Sequence, residues 1–209
     1  GKTWQAARRL TTEHGISNPL ALAVSGNSVY VAWSHAIYER HQVICFRKSS
    51  DRGANWGAVQ RFKEESGLSM CQRLAASGSN VYLIWPHWNT DERTNTEIYF
   101  AASSNRGASW GPVVRLTDNP KVDELPVCAA AGSKVYASWA DNRSGNFEIY
   151  VRTSANGGAS WAGAKRLTKS AGESTYPDLA LGDAALYAVW ADATAGNHEI
   201  YFAVRKLPK

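Results

Sequence analysis

Cysteine and methionine are scarce in this chain, three and one among 209 residues. The cysteines, Cys45, Cys71 and Cys128, are odd in number and show no Cys-x-x-Cys spacing, so neither a disulfide framework nor a zinc site is expected; they read as buried thiols within strands. Long apolar runs are also missing. Nothing approaches the roughly 20 consecutive apolar residues of a membrane-spanning helix, although 44% of the residues are hydrophobic, enough for a sizeable core. No stretch reads as a helix, and no cofactor-binding motif is present. There is neither an initiator Met nor a signal peptide, and the chain opens inside a motif at Gly1-Lys2-Thr3-Trp4, as expected of a processed or excised chain. The net charge of +5 is spread in register, at Arg8-Arg9, Arg61, Arg115 and Lys165-Arg166. That pattern predicts a solvated outer strand, with no nucleic-acid stripe and no membrane partner.

Tryptophan is plentiful, with nine residues, and it marks a repeat. Trp4, Trp56, Trp110 and Trp161 are 52, 54 and 51 residues apart, and each closes a short Gly-containing run. The fullest copies contain Asp51-Arg-Gly53-Ala-Asn-Trp56, Asn105-Arg-Gly107-Ala-Ser-Trp110 and Asn156-Gly-Gly158-Ala-Ser-Trp161, each preceded by Ser two positions before the Asp or Asn. Four short Val-, Ile-, Tyr- and Ala-rich segments separate successive copies, bounded by Gly, Asn, Asp and Pro. A period near 50 with strand text between copies predicts a β-propeller. The expected fold is all-β, with four four-stranded antiparallel blades in one domain over residues 1–209 and repeats at about 4–55, 56–109, 110–160 and 161–209.

In the third repeat the strands read Pro112–Thr117 (outer), Pro126–Ala131 (inner), Lys134–Trp139 (second) and Phe147–Thr153 (third). Val135, Ala137 and Trp139 should then face one neighbouring blade, and Tyr136 and Ser138 the other. The Gly-x-Ser-Trp run falls between the third strand and the next outer strand. Its residues suit a turn: Asp or Asn accepts from backbone N–H groups, Gly takes positive φ, and Trp buries area beneath. Asp51, Asn105 and Asn156, with their glycines and tryptophans, are therefore expected to be structural.

This Ser-x-Asp-x-Gly-x-Ser-Trp text resembles the Asp-box, or BNR, repeat of sialidase-like propellers, and the Trp-x-Asp…Gly-Asn-x-Glu-Ile-Tyr text of the last two repeats resembles non-sialidase members of that group. The resemblance covers essentially the whole chain and implies a fold more than an activity, because such turns occur in catalytic and non-catalytic propellers alike. It implies an extracellular or cell-surface location. Sialidases of the group have six-bladed rings, so a four-repeat chain is either complete or part of a larger ring. Completion is the reading taken here: Ala6–Thr11 is a spare outer strand, Glu199–Val204 is a third strand without one, and pairing them closes the ring.

Eight tryptophans belong to the repeat and the ninth is Trp88; of nine tyrosines the two off-pattern are Tyr38 and Tyr176. All three map to the end of the ring opposite the Trp turns, beside Arg40, Arg93 and Arg143. Loop aromatics can stack on sugars or anchor a partner, and arginine suits planar carboxylates. These six are the expected ligand-binding residues, for a glycan or protein ligand. His35, His87, Asp141 and Asp192 recur two residues after the second-strand Trp, too far apart around an axis for one metal. Glu97, Glu148 and Glu199 open the third strands and are expected to bond loop backbone or a neighbouring blade, while Val43 holds the fourth equivalent position. For catalysis the resemblance would require an arginine triad, a Tyr–Glu nucleophile, an Asp acid and a Phe/Tyr-Arg-Ile-Pro segment. The nearest string, Cys45-Phe46-Arg47-Lys48, lacks Ile-Pro, and Tyr38-Glu39 or Glu173 with Tyr176 would have to serve as nucleophile. A non-catalytic binding propeller is therefore expected, with a sialidase-like hydrolase or a purely structural segment as the alternatives.

Overall fold

The computed structural model describes residues 3–38, 41–62, 67–69, 72–88 and 95–207. Among them are four antiparallel sheets and no helix. The first blade orders β1 (Ile16–Ser25), β2 (Ser28–Tyr38), β3 (His41–Ser49) and β4 (Gln60–Phe62). In the second, β5 (Leu68–Ser69) and β6 (Arg73–Ser77) share the inner position beside β7 (Asn80–Trp88), β8 (Thr96–Ser103) and β9 (Val114–Arg115). The third holds β10 (Asp123–Ala131), β11 (Lys134–Asp141), β12 (Glu148–Ser154) and β13 (Lys165–Arg166). The fourth holds β14 (Ser174–Leu181), β15 (Ala185–Asp192) and β16 (Glu199–Lys206).

The core lies between blades. Tyr30, Ala32, Ile44, Phe46 and Phe62 of the first face Val81, Leu83, Trp85 and Ala101 of the second. Tyr82, Ile84, Ile98, Phe100 and Leu116 of the second face Val135, Ala137 and Trp139 of the third. β7 and β11 are thus buried on both faces, which explains their near-continuous apolar text.

Each Trp turn is held by its own side chains. Ser49 Oγ donates to Asp51 Oδ1 at 2.7 Å and accepts from Gly53 N at 2.8 Å, while Asp51 accepts from Asn55 N at 2.8 Å. Asn105 and Asn156 accept from Ser109 N and Ser160 N, both at 2.9 Å. The glycine is demanded twice over at Gly158: its φ is 90°, and a Cβ there would sit 2.2 Å from the Phe100 ring of the preceding blade.

The expected closure is not formed in this structure. The fourth sheet has three strands, and residues 3–11 lie in none. They run along the first blade instead, where Arg47 Nη1 donates to Leu10 O at 2.6 Å and Arg8 Nη1 to Ala54 O at 2.8 Å. Leu22 and Val24 on the first blade and Tyr187, Phe202 and Val204 on the fourth are exposed, so the end faces of the arc do not meet.

Candidate functional site

The end opposite the Trp turns is built from the start of each inner strand and the end of each second strand. There the register pairs Ser17 with His35, Ser69 with His87, Asp123 with Asp141 and Ser174 with Asp192. Ser17 Oγ lies 3.1 Å from His35 Nδ1, and Ser69 Oγ lies 3.0 Å from His87 Nδ1. Ser174 Oγ donates to Asp192 Oδ2 at 2.9 Å. The two histidines and two aspartates weighed as metal ligands are each engaged by the inner strand of their own blade. Among the described residues no group of three or more His, Cys, Asp or Glu stands together as a metal would need.

Asp123 and Asp141 are both wholly buried. Burial first, then the hydrogen bond and charge of Asp141, push the Asp123 carboxyl far above the usual carboxylate range. Asp141 opposes its own burial with bonds from Arg143 and stays on the low side. Asn119 Nδ2 completes the pair by donating to Asp123 Oδ2 at 2.6 Å. Both carboxyls lie at the blade end with no exposed surface.

Just beyond these pairs the inner strands slip register, between Ser17 and Leu20, Glu124 and Val127, and Thr175 and Asp178. The slip is a bulge, and a bulge re-aims side chains. Leu125 and Tyr176 occupy it with φ of 53° and 52°, a conformation that bulky residues rarely take, each immediately before a proline. Tyr176 is exposed there. Glu173 is exposed beside it, and Glu124 is half-buried on the third blade. Burial, followed by the charge of Glu173, raises the Glu124 carboxyl. Sequence reading singled out Tyr176 and Glu173 and passed over Glu124; the Glu-Leu-Pro and Thr-Tyr-Pro triplets at matching places in the repeat were the available signal.

The remaining expected residues divide. Trp88 ends β7, half-buried and paired with Leu68 and Thr96. Tyr38 ends β2 opposite His41, and its side chain is outside the described residues, as are Arg40 and Arg93. Arg143 is committed to its own loop: its Nε donates to Asp141 Oδ2 at 2.6 Å, and its guanidinium lies 4.7 Å above the Tyr150 ring. Glu97 and Glu148 do bond loop backbone, at Asn119 N and Ser170 N, but their main partners are the outer strand of their own blade. Glu97 accepts from Arg115 Nη2 at 2.5 Å and from Thr117 Oγ1; Glu148 accepts from Arg166 Nη2 at 2.6 Å and from Thr168 Oγ1. Cys45 and Cys128 are free thiols pushed up by burial to about 11 and about 12. Cys71 lies outside the described residues.

Antiparallel blades arranged in an arc, the first three carrying a Trp turn after the third strand, define a propeller. The BNR repeat-like domain matches residues 1–188, and the chain belongs to that family. No curated protein matches the sequence. Among solved structures it is similar to the α-L-arabinofuranosidase of Fusarium graminearum in complex with an iminosugar inhibitor, at 16% identity and TM-score 0.68 over 90% of this chain and 62% of that one. It is also similar to the α-L-arabinanase of Penicillium chrysogenum complexed with arabinobiose, at 12% identity and TM-score 0.64 over 93% of this chain and 64% of that one. The sialidase of Trypanosoma rangeli in complex with sialic acid gives 14% identity and TM-score 0.60 over 91% of this chain and 37% of that one. Identities this low show a shared fold, and the chain spans less than two thirds of each of these proteins. Among the described residues no helix is long and apolar enough to cross a membrane.

Proposed function

We propose that the loop end of the third and fourth blades is a carbohydrate site of the glycoside-hydrolase kind. One observation carries the reading: Tyr176 is exposed at φ 52° on an inner-strand bulge, three residues from Glu173, whose charge helps to raise the Glu124 carboxyl. Bulky residues kept in such a conformation cluster where a fold presents a ligand site. Glycosidic cleavage uses two carboxyls, one protonated and one ionised, and mutual repulsion separates a pair in that sense. Glu124 is the proton donor in this reading and Glu173 the second carboxyl. Tyr176 and Trp88 stack against sugar faces. The similarity to an arabinofuranosidase, an arabinanase and a sialidase supports a glycan as the substrate class.

The second reading is binding without turnover, through Tyr38, Trp88, Tyr176, Arg40, Arg93 and Arg143, with a glycan or protein as ligand. Its support is the placement of the three off-repeat aromatics at one end of the ring. Arg143, already paired with Asp141, is then a support for its loop, leaving Arg40 and Arg93 to meet an anionic ligand. Hydrolysis of arabinofuranosides, arabino-oligosaccharides and a fluorogenic sialoside separates the readings. Turnover that falls at least about 100-fold in Glu124→Gln, as loss of general acid catalysis predicts, supports the hydrolase. Binding without turnover supports the second reading, and silence in both assays removes both. We further propose that Ala6–Thr11 serves as an outer strand of the propeller, the supporting feature being Leu10 O, which accepts from Arg47 of the first blade as Leu116 O accepts from Arg152 of the third.

A further inference from the structure

We infer that Asn146 is a positioning residue for the site proposed above: its side-chain amide reaches from the third blade to the turn that enters the fourth and holds Glu173 in place beside Glu124. The inference rests on the assignment of those two carboxyls to the site.

Asn146 lies in the loop between β11 and β12, two residues before Glu148. The repeat puts Asn95 and Asn197 at the same distance before Glu97 and Glu199, and there the amide serves its own blade. Asn95 Nδ2 donates to Glu97 Oε1 at 3.1 Å, and Asn197 Nδ2 to Glu199 Oε1 at 2.6 Å. Asn146 does otherwise. Its Nδ2 donates to Gly172 O at 2.6 Å and to Ser170 O at 3.2 Å, in the segment that joins β13 to β14.

The two ends of that segment have further bonds to the third blade, from Ser170 N to Glu148 Oε1 at 2.9 Å and from Ser174 N to Phe147 O at 2.8 Å. Between these anchors, among the bonds of the described residues, Asn146 is what joins the turn to that blade. The fourth blade holds the turn from the other side. Gly172 N donates to Thr194 Oγ1 at 3.1 Å, and Ala193 N to Glu173 O at 2.9 Å. There is no slack there: a Cβ on Gly172 would lie 2.5 Å from Ala193 C and from Thr194 N, both backbone atoms. Glu173 follows directly with its side chain exposed, so the backbone beneath it sets where its carboxyl stands.

Position matters because the interaction of two charges falls as they separate and is screened beyond about 10 Å at ordinary salt. The charge that raises the Glu124 carboxyl is that of Glu173. Toward the loop end, the other charged or titratable groups on elements packed against β10 are His87 of β7, Glu97 of β8 and Asp141 of β11, with Arg73 on β6 and Asp178 on β14. Glu97 and Asp141 are already bound to Arg115 and Arg143. Without Asn146 the middle of the turn is tied to the fourth blade alone, and Glu173 gains freedom to move away from β10.

The test is an NMR titration of the 209-residue chain labelled at its glutamate carboxyl carbons, with the Glu124 resonance identified by its loss in Glu124→Gln. Glu173→Gln should lower the Glu124 midpoint, and Asn146→Ala should produce most of the same fall. Added to Glu173→Gln, Asn146→Ala should change nothing further, because the charge it positions is gone. Asn95→Ala, which removes an amide serving its own blade, should titrate as the native chain does. An unmoved midpoint in Asn146→Ala, with Glu173→Gln effective, overturns the positioning and leaves the pair of carboxyls standing. A fall that persists in full in the Glu173→Gln background overturns it too, since Asn146 then acts through the burial of Glu124. No effect of Glu173→Gln overturns the positioning together with the pairing of the two carboxyls. The titration needs no substrate: the expected pattern in a chain that turns over no arabinofuranoside, arabino-oligosaccharide or sialoside supports the positioning and removes the hydrolase reading alone.

Discussion

Trp110 stands edge-on to Phe46 across the boundary between the first two blades, ring centroids 4.9 Å apart and planes at 85°. Edge-to-face geometry adds to the area that an aromatic buries, so the turn tryptophan staples its own blade to the preceding one. Trp110→Ala and Trp161→Ala are each expected to lower stability by about 3 kcal/mol in denaturant melts. Trp56→Ala should cost less, because no phenylalanine of a preceding blade stands beneath Gly53 as Phe46 does beneath Gly107. Equal losses at all three would show that the contact between blades contributes little.

Glu148 is wholly buried and joins Arg166, Thr168 and Ser170 N. Removing one partner of a buried charged network typically costs about 3–5 kcal/mol, so Glu148→Ala should be among the most damaging substitutions in the chain. Glu199→Ala should change far less, because Glu199 is exposed and accepts only from Asn197 Nδ2 among the bonds of the described residues. Thermal melts of the two variants side by side check this, and equal losses would contradict it.

Much of this architecture was legible in advance because the repeat reports it four times. Strand order, the turn chemistry of Asp51, Asn105 and Asn156, and the facing of Val135, Ala137 and Trp139 follow from period-2 text and from glycine at fixed offsets. Pairings distant in sequence were not legible. Glu97 opens a strand and looks like a loop anchor; only the pairing of β8 with β9 brings Arg115 and Thr117 within hydrogen-bond reach of it. Arg143 differs, because Asp141 is only two residues away: the text allows either an ion pair with that neighbour or a ligand, and the structure holds the ion pair. The raised Glu124 carboxyl was missed because it follows from burial and from the charge of Glu173, 49 residues away and on the next blade.

The shifted carboxyls make two opposed pH predictions. The Asp123 carboxyl is raised on folding, so the folded chain keeps a proton that the unfolded chain releases. Stability then falls as pH climbs from the ordinary carboxylate range into the alkaline range. Asp123→Asn should flatten that decline in melts between pH 6 and pH 10, a window chosen to span about that range; an unchanged slope would place the loss elsewhere.

Asp51 behaves in the opposite sense. Bonds from Asn55 N, Ser49 and the Asn55 side chain hold its carboxyl down to about 2. Its contribution is present above the ordinary carboxylate value and lost as pH falls toward the depressed one. Asp51→Asn should keep the turn, as Asn105 and Asn156 do, while removing that acid dependence. Collapse of Asp51→Asn at neutral pH would contradict the equivalence of the three turns.

The most direct test of the carbohydrate site is titration calorimetry of arabino-oligosaccharides against the native chain, Tyr176→Ala, Trp88→Ala and Arg52→Ala. Tyr176→Ala and Trp88→Ala should weaken binding by about 1–3 kcal/mol, as loss of a stacked anchor does, with melting nearly unchanged. Arg52→Ala, in a turn at the other end of the blade, should bind as the native chain does. Binding that ignores Tyr176 and Trp88 yet falls with Arg52 would put the site at the wrong end of the ring.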